Sequence, residues 1–367
     1  MKNGKNKTLY DPLFSLIYAA LSVIAALIIA GLVMKIMGYR PLNSYRYLLQ
    51  GSFGSINSLC ETAVKTTPLI LTAVAFSTAF KSGMINLGAT GQLYMGAICT
   101  TLIATNFDQL PRGIHITISL LAGIAAGALF GYLVGLLKSV FGASELITTI
   151  MLNYVAAYLV SFLVTGPMKD TKGSNSNPQS CQILESAKLP LFVPGSRLNI
   201  GFLIALLVIV LYFLFFWHTS LGYGIRVIGL NENTGKYAGI SKDLNQGIAM
   251  AISGGLAGLA GAIEILGVQT RLTQAFAGDL GFEGIAAALL GSNSPIGILF
   301  SSLLFGAMSS GAGTMEMLAK VPNALISVIQ GLIILFIIGR NLPAGKIKEV
   351  LIKKHVIKEE EAIGIIE

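Results

Sequence analysis

From Leu13 to Met34 the sequence runs without one charged side chain, and similar runs recur along its length. An α-helix rises about 1.5 Å per residue, so some twenty apolar residues match the roughly 30 Å hydrocarbon core of a bilayer. Runs that can be read as membrane segments fall at 13–37, 62–80, 85–106, 114–137, 146–165, 200–217, 246–268, 280–291, 295–311 and 323–339. Only 11% of the 367 residues are charged, against about a quarter in a soluble domain. Apolar surface on this scale finds its solvent in lipid, which is therefore an obligatory partner. The eighth run, 280–291, is too short to cross as a straight helix and is expected to be broken or re-entrant. No polar stretch is long enough to form a separate soluble domain.

Lys and Arg lie in the tails and between the apolar runs, a topology signal rather than a nucleic-acid footprint. Ten crossings place both termini on one side. Lys2, Lys5 and Lys7 before the first run, and Arg340, Lys346 and Lys348 after the last, put that side in the cytoplasm. The first run is too long for a signal-peptide core and lacks a nearby cleavage site. Two loops are long. The outer one, 166–199, contains the polar stretch from Lys169 to Ser180, which reads either as a solvated connector or as a docking surface for an extracellular partner. The inner one spans 218–245.

Enzyme motifs are missing. His115, His218 and His355 stand alone, and Cys60, Cys99 and Cys181 form no C-x-x-C pair. No Gly-Lys pair has the upstream glycine of a phosphate loop, so no cofactor is expected here and any ATP binds another chain. Polar groups inside membrane spans are costly and invite a functional reading. The candidates are Asn86, Gln92, Asn153, Glu264 and Glu283. One reading is that they satisfy one another between helices; the other is that they line a path for an uncharged hydroxylated solute. Asn86-Leu87-Gly88-x-x-Gly91 and Asp279-Leu280-Gly281-x-x-Gly284 share the pattern [N/D]-L-G-x-x-G on segments running in opposite directions, the trace of an inverted repeat.

In the inner loop, Asn231 or Asn233 can start a short helix and Gly239 can end it. Arg226, Gly229, Tyr237, Ala238 and Ile240 complete the segment, and Tyr237, Ala238 and Ile240 are available to a protein partner. Such a helix suits force transfer between subunits; a simple interfacial helix is the alternative.

The segments RVIGLNENTGKYAGIS, SGMINLGATGQLYMGA, TTIMLNY and GFEGIAAALLGSNSPIG resemble the permeases of ribose- and branched-chain-amino-acid-type ABC importers. Within that superfamily they look most like the larger permease of nucleoside importers served by basic-membrane-protein lipoproteins. The resemblance runs in order from about residue 13 to 340. It implies an all-α, polytopic type II importer fold of about ten transmembrane helices. It also implies a second permease subunit, an ABC ATPase with two nucleotide-binding domains, an extracellular solute-binding lipoprotein and nucleosides as substrate. The chain then divides into a cytoplasmic tail 1–12, a permease domain 13–339 with a coupling loop within 218–245, and a cytoplasmic tail 340–367. The competing expectation is a self-sufficient, proton-coupled secondary transporter using Glu264 or Glu283.

Overall fold

The computed structural model describes residues 12–170, 178–193, 195–322 and 324–339. The tails, apart from Pro12, lie outside them. Thirteen α-helices occur among the described residues: α1 Pro12–Ile36, α2 Pro41–Phe53, α3 Ile56–Lys81, α4 Ala89–Asn106, α5 Arg112–Phe141, α6 Glu145–Thr165, α7 Gly201–His218, α8 Ser220–Leu230, α9 Glu232–Tyr237, α10 Lys242–Glu264, α11 Leu280–Leu290, α12 Pro295–Ala319 and α13 Ala324–Gly339. Six of them (α3, α5, α6, α7, α10 and α12) are long and apolar enough to cross a bilayer, which makes this a multi-pass membrane protein. Helix α1 and the shorter α11 and α13 are also apolar, and with α4 they correspond to the remaining expected runs.

The differences have simple causes. The expected 62–80 span begins at Ile56, because Ser55 accepts a hydrogen bond from Ser58 N and caps an earlier start. The expected 295–311 span continues to Ala319, since its Gly, Ser and Thr content weakens the hydropathy signal without breaking the helix. Helix α2 was not anticipated; its 13 residues include Asn43, Arg46 and Gln50, too polar and too short for a spanning run. It earns its place by packing, with Leu48, Gly51 and Ser52 buried against α12.

Helices α3 and α10 form the interior: their apolar stretches are 83% and 78% buried, against 28% for α5 and α6, which leave most of their surface on the outside of the bundle. Helix α10 lies along α5 through glycines, with Gly123 and Gly127 of α5 against Gly254 and Gly258 of α10. In lipid, where apolar surface no longer drives association, this close approach supplies the packing energy.

The two copies of the repeated motif each open a helix, Asn86–Gly91 leading into α4 and Asp279–Gly284 into α11. Their openings touch, Gly281 lying against Thr90. Helix α11, at 11 residues, spans only about half a bilayer, as its length in sequence implied.

Most of the polar stretch from Lys169 to Ser180, residues 171–177, lies outside the described residues, and the rest of the outer loop is bonded to the chain that follows α10. After Glu264 the chain passes through one π-turn, Ile265–Gln269, and then irregular backbone whose carbonyls have no helical partner. The loop supplies donors. Leu189 N bonds Leu266 O (3.0 Å), Ile183 N bonds Thr270 O (3.0 Å) and Ser180 N bonds Leu272 O (2.9 Å). Asn199 Nδ2 reaches Gly267 O at 3.2 Å. An ion pair from Arg271 to Asp170 (2.9 Å) fixes the start of the loop.

Candidate functional site

Where α3, the end of α10, the π-turn and the start of α11 meet, they enclose a polar cavity of about 230 Å³. Pro68 lies midway along α3 and has no N–H to donate to the Val64 carbonyl, so the helix loses one rung of its ladder where it borders this space. Lys65, Arg197, Glu264, Gln269, Asp279 and Glu283 bring their polar groups to the wall, and Phe276 supplies an aromatic face. A second cavity of about 200 Å³ shares Glu283 and Ser309 with the first and adds Ser327 and Gln330.

Glu264 is buried, and Gln269 Nε2 donates to its Oε1 at 3.1 Å. Five residues separate the two, and the π-turn between them brings Gln269 back over the carboxylate. Arg197 grips Glu61 with both arms, Nε to Oε1 at 2.9 Å and Nη2 to Oε2 at 2.7 Å. Those hydrogen bonds hold the Arg197 guanidinium protonated more firmly than in water, against the opposing effect of partial burial. The wall thus carries Lys65 and Arg197 beside Glu264, Asp279 and Glu283, with Arg197 already paired to Glu61. Such a chamber offers hydrogen-bonding groups of both charges.

The five polar residues singled out from the sequence divide into two groups. Glu264 and Glu283 face the cavity. Asn86, Gln92 and Asn153 line neither polar cavity, and their amides are engaged within the protein. Asn86 Nδ2 donates to Gln92 Oε1 and to Ser253 Oγ, both at 2.8 Å, while its Oδ1 accepts from Gly88 N at 2.8 Å. The Ser253 hydroxyl in turn donates to Ala75 O at 2.6 Å. Asn153 accepts from Gly91 N at 2.7 Å and donates to Leu87 O at 2.8 Å. Together these amides fix the non-helical turn 82–88 and the first turn of α4 to α6 and α10. Lys65, Arg197, Gln269 and Asp279 were not picked from the sequence. Lys65 inside an apolar run and Asp279 in the repeated motif were signals in plain view; Arg197, far off in a polar loop, gave none.

The inner loop forms two helices. Asn231 Oδ1 accepts from Asn233 N (2.9 Å) and Thr234 N (3.3 Å), so Asn231 is the cap and Asn233 follows it. Gly239 ends α9 at φ +72°, with Gly239 N on Lys236 O (3.1 Å) and Ile240 N on Gly235 O (2.9 Å), a Schellman closure. Tyr237 is 94% exposed and Leu230 88%, with Ala238 exposed and Ile240 half-buried. These apolar side chains stand exposed together at the end of the loop. On its inner side the loop is braced. Gly229 lies against the Lys81 carbonyl at the end of α3, the Arg226 guanidinium stacks on Trp217 (5.4 Å), and Lys242 pairs with Glu232 (2.7 Å).

Comparison with known proteins matches residues 58–338 to the family described as branched-chain amino acid transport system / permease component. The nucleoside ABC transporter permease protein NupB of Lactococcus lactis is 35% identical, over 98% of each chain. The guanosine ABC transporter permease protein NupP of Bacillus subtilis is 35% identical over 91% of this chain and 97% of its own. The glucose ABC transporter permease protein TsgB13 of Haloferax volcanii is 33% identical over 87% of this chain and 86% of its own.

Proposed function

The chain belongs to the branched-chain amino acid transport system permease-component family, and on that premise we propose that it is the membrane-spanning subunit of an ATP-driven importer of nucleosides or a related sugar-containing solute. The observation that carries this reading is mechanical. Helix α10 has one end at the inner loop, at Lys242, and the other at the polar cavity, at Glu264. Its 23 residues separate the two by about 33 Å. Helix α3 makes the same link, with Lys81 against Gly229 at one end and Lys65 at the cavity. A push on the exposed α8–α9 surface therefore reaches the chamber through two rigid, mostly buried rods.

In this reading an ABC ATPase with two nucleotide-binding domains docks on Leu230 and Tyr237. A second permease completes the membrane unit, and an extracellular lipoprotein delivers solute to the outer face beside Arg197. Both termini are cytoplasmic, as the basic residues of the tails favour. Glu264 and Glu283 face the translocation path, and Asn86, Gln92 and Asn153 act on it from behind, by holding the start of α4. The relatives named for nucleoside, guanosine and glucose have a polyhydroxylated sugar ring in common as cargo. That chemistry matches a chamber lined with hydrogen-bonding groups of both charges. A self-sufficient, proton-coupled transporter finds no support among these permease components.

Uptake of labelled guanosine, uridine and glucose into proteoliposomes tests the reading. Transport should require the co-reconstituted ATPase and ATP, and should survive an ionophore that collapses the proton gradient. Uptake by this chain alone, driven by a proton gradient without ATP, sinks it.

A further inference from the structure

At the inner-loop end of the protein two cations share one aromatic platform. Lys81 Nζ lies over the rings of Trp217 (5.0 Å), Phe216 (5.5 Å) and Tyr212 (5.9 Å), and the Arg226 guanidinium lies over Trp217 at 5.4 Å. Among the described residues no carboxylate pairs with either. The Arg226 Nε is buried and finds no acceptor there. Rings satisfy part of such a charge but leave the net charge of the pair uncompensated.

Trp217 is also the end wall of a groove of about 1060 Å³ on the outside of the bundle, between α1, α7 and α12. Ile24, Val210, Phe213, Ile296 and Phe300 line it and are exposed. On α12 the groove runs from Pro295 to Leu304, about 13.5 Å, and on α7 from Ile209 to Trp217, about 12 Å. Those lengths approach one leaflet, half of the roughly 30 Å hydrocarbon core. Both cations meet this apolar slot through Trp217, whose ring closes its end on the side of the inner loop.

We propose that this groove is a binding site for an anionic phospholipid, with its phosphate between Lys81 and Arg226 and one acyl chain against Ile24, Phe213 and Phe300. The charge complement selects an anionic over a zwitterionic headgroup, and the lipid lies in the leaflet on the side of the 218–245 loop. Because Arg226 belongs to α8 and Lys81 ends α3, the bound headgroup ties the inner loop to the bilayer surface.

Trp217 is the only tryptophan in the sequence, so its fluorescence reports on this site alone. The full chain in phosphatidylcholine vesicles is titrated with phosphatidylglycerol brominated on its acyl chains, and separately with brominated phosphatidylcholine. The anionic lipid should quench at a roughly tenfold lower mole fraction, as two cations near an anionic headgroup imply. Unbrominated phosphatidylglycerol should reverse the quenching and inorganic phosphate should not. Lys81→Gln with Arg226→Gln should reduce the preference below about twofold, and Ala20→Phe, which fills the slot, should weaken quenching by both lipids. Equal quenching by the two lipids in the wild type overturns the proposal, as does reversal by phosphate, which would make the site one for a free anion. A preference surviving in the Gln pair overturns it too, assigning the charge to Lys2, Lys5 and Lys7. Absence of quenching by either lipid means that protein covers the groove, and equally ends it.

Discussion

Gly127 of α5 and Gly254 of α10 meet so closely that a Cβ added to either would fall 2.2 Å from the carbonyl oxygen of the other. Backbone faces backbone there, and no flexible side chain is available to move aside. Replacing either with Val should prevent the two helices from closing and abolish detergent-stable protein. Gly313 on α12, with nothing within 4 Å of its would-be Cβ, is the control. Gly313→Ala should leave stability unchanged or raise it by about 0.5–1 kcal/mol. Thermal unfolding followed by scanning fluorimetry checks both; a stable Gly127→Val protein would refute the packing argument.

The amide cluster should show itself in stability before transport. Asn86→Ala strands the Gly88 N–H and the Gln92 amide, and Asn153→Leu strands the Leu87 carbonyl and the Gly91 N–H. Leaving a buried partner unsatisfied costs about 1–3 kcal/mol. Both variants should melt earlier in detergent. Wild-type melting with reduced uptake would instead place these amides on the path itself.

Glu264→Gln and Glu283→Gln probe the chamber without changing its shape. If these carboxylates bond the solute, uptake per folded molecule should fall about five- to hundredfold, the equivalent of 1–3 kcal/mol. Expression and melting should stay near wild type. Unchanged uptake in both variants moves the path elsewhere.

At the inner loop, Gly239→Val forces a β-branched residue to φ +72° and undoes the end of α9. Tyr237→Ala removes an exposed ring and touches nothing else that α9 needs. Both should insert normally and lose solute-stimulated ATPase activity and uptake in the assembled transporter. Wild-type activity in Tyr237→Ala, measured beside a pull-down of the ATPase, would remove this surface from the coupling interface.

The contrast between these predictions shows what a sequence can disclose. Hydropathy located ten helices because lipid imposes one rule on every spanning segment. Local chemistry located the α9 cap and the Gly239 stop because Asn231 and Gly239 act within a few residues of themselves. The same reading marked Asn86, Gln92, Asn153, Glu264 and Glu283 as unusual, but it could not divide them into clamp and chamber. Asn86 finds Ser253 across 167 residues of chain, and Arg197 finds Glu61 across 136. Partners at that separation are set by how helices pack, which no short window contains. Helix α2 escaped for a related reason, since its residues matter only against α12.

The outer loop behaves as a splint. Its donors at Ser180, Ile183, Leu189 and Asn199 are spaced to match the acceptors Leu272, Thr270, Leu266 and Gly267, in antiparallel order down to Leu266. Deleting a few residues between 180 and 199 would put this ladder out of step and uncover carbonyls at the rim of the chamber, a penalty no change of sequence elsewhere could repair. Length in this loop is therefore a quantity under structural constraint, and a tag or fused domain belongs outside the stretch from Ser180 to Asn199.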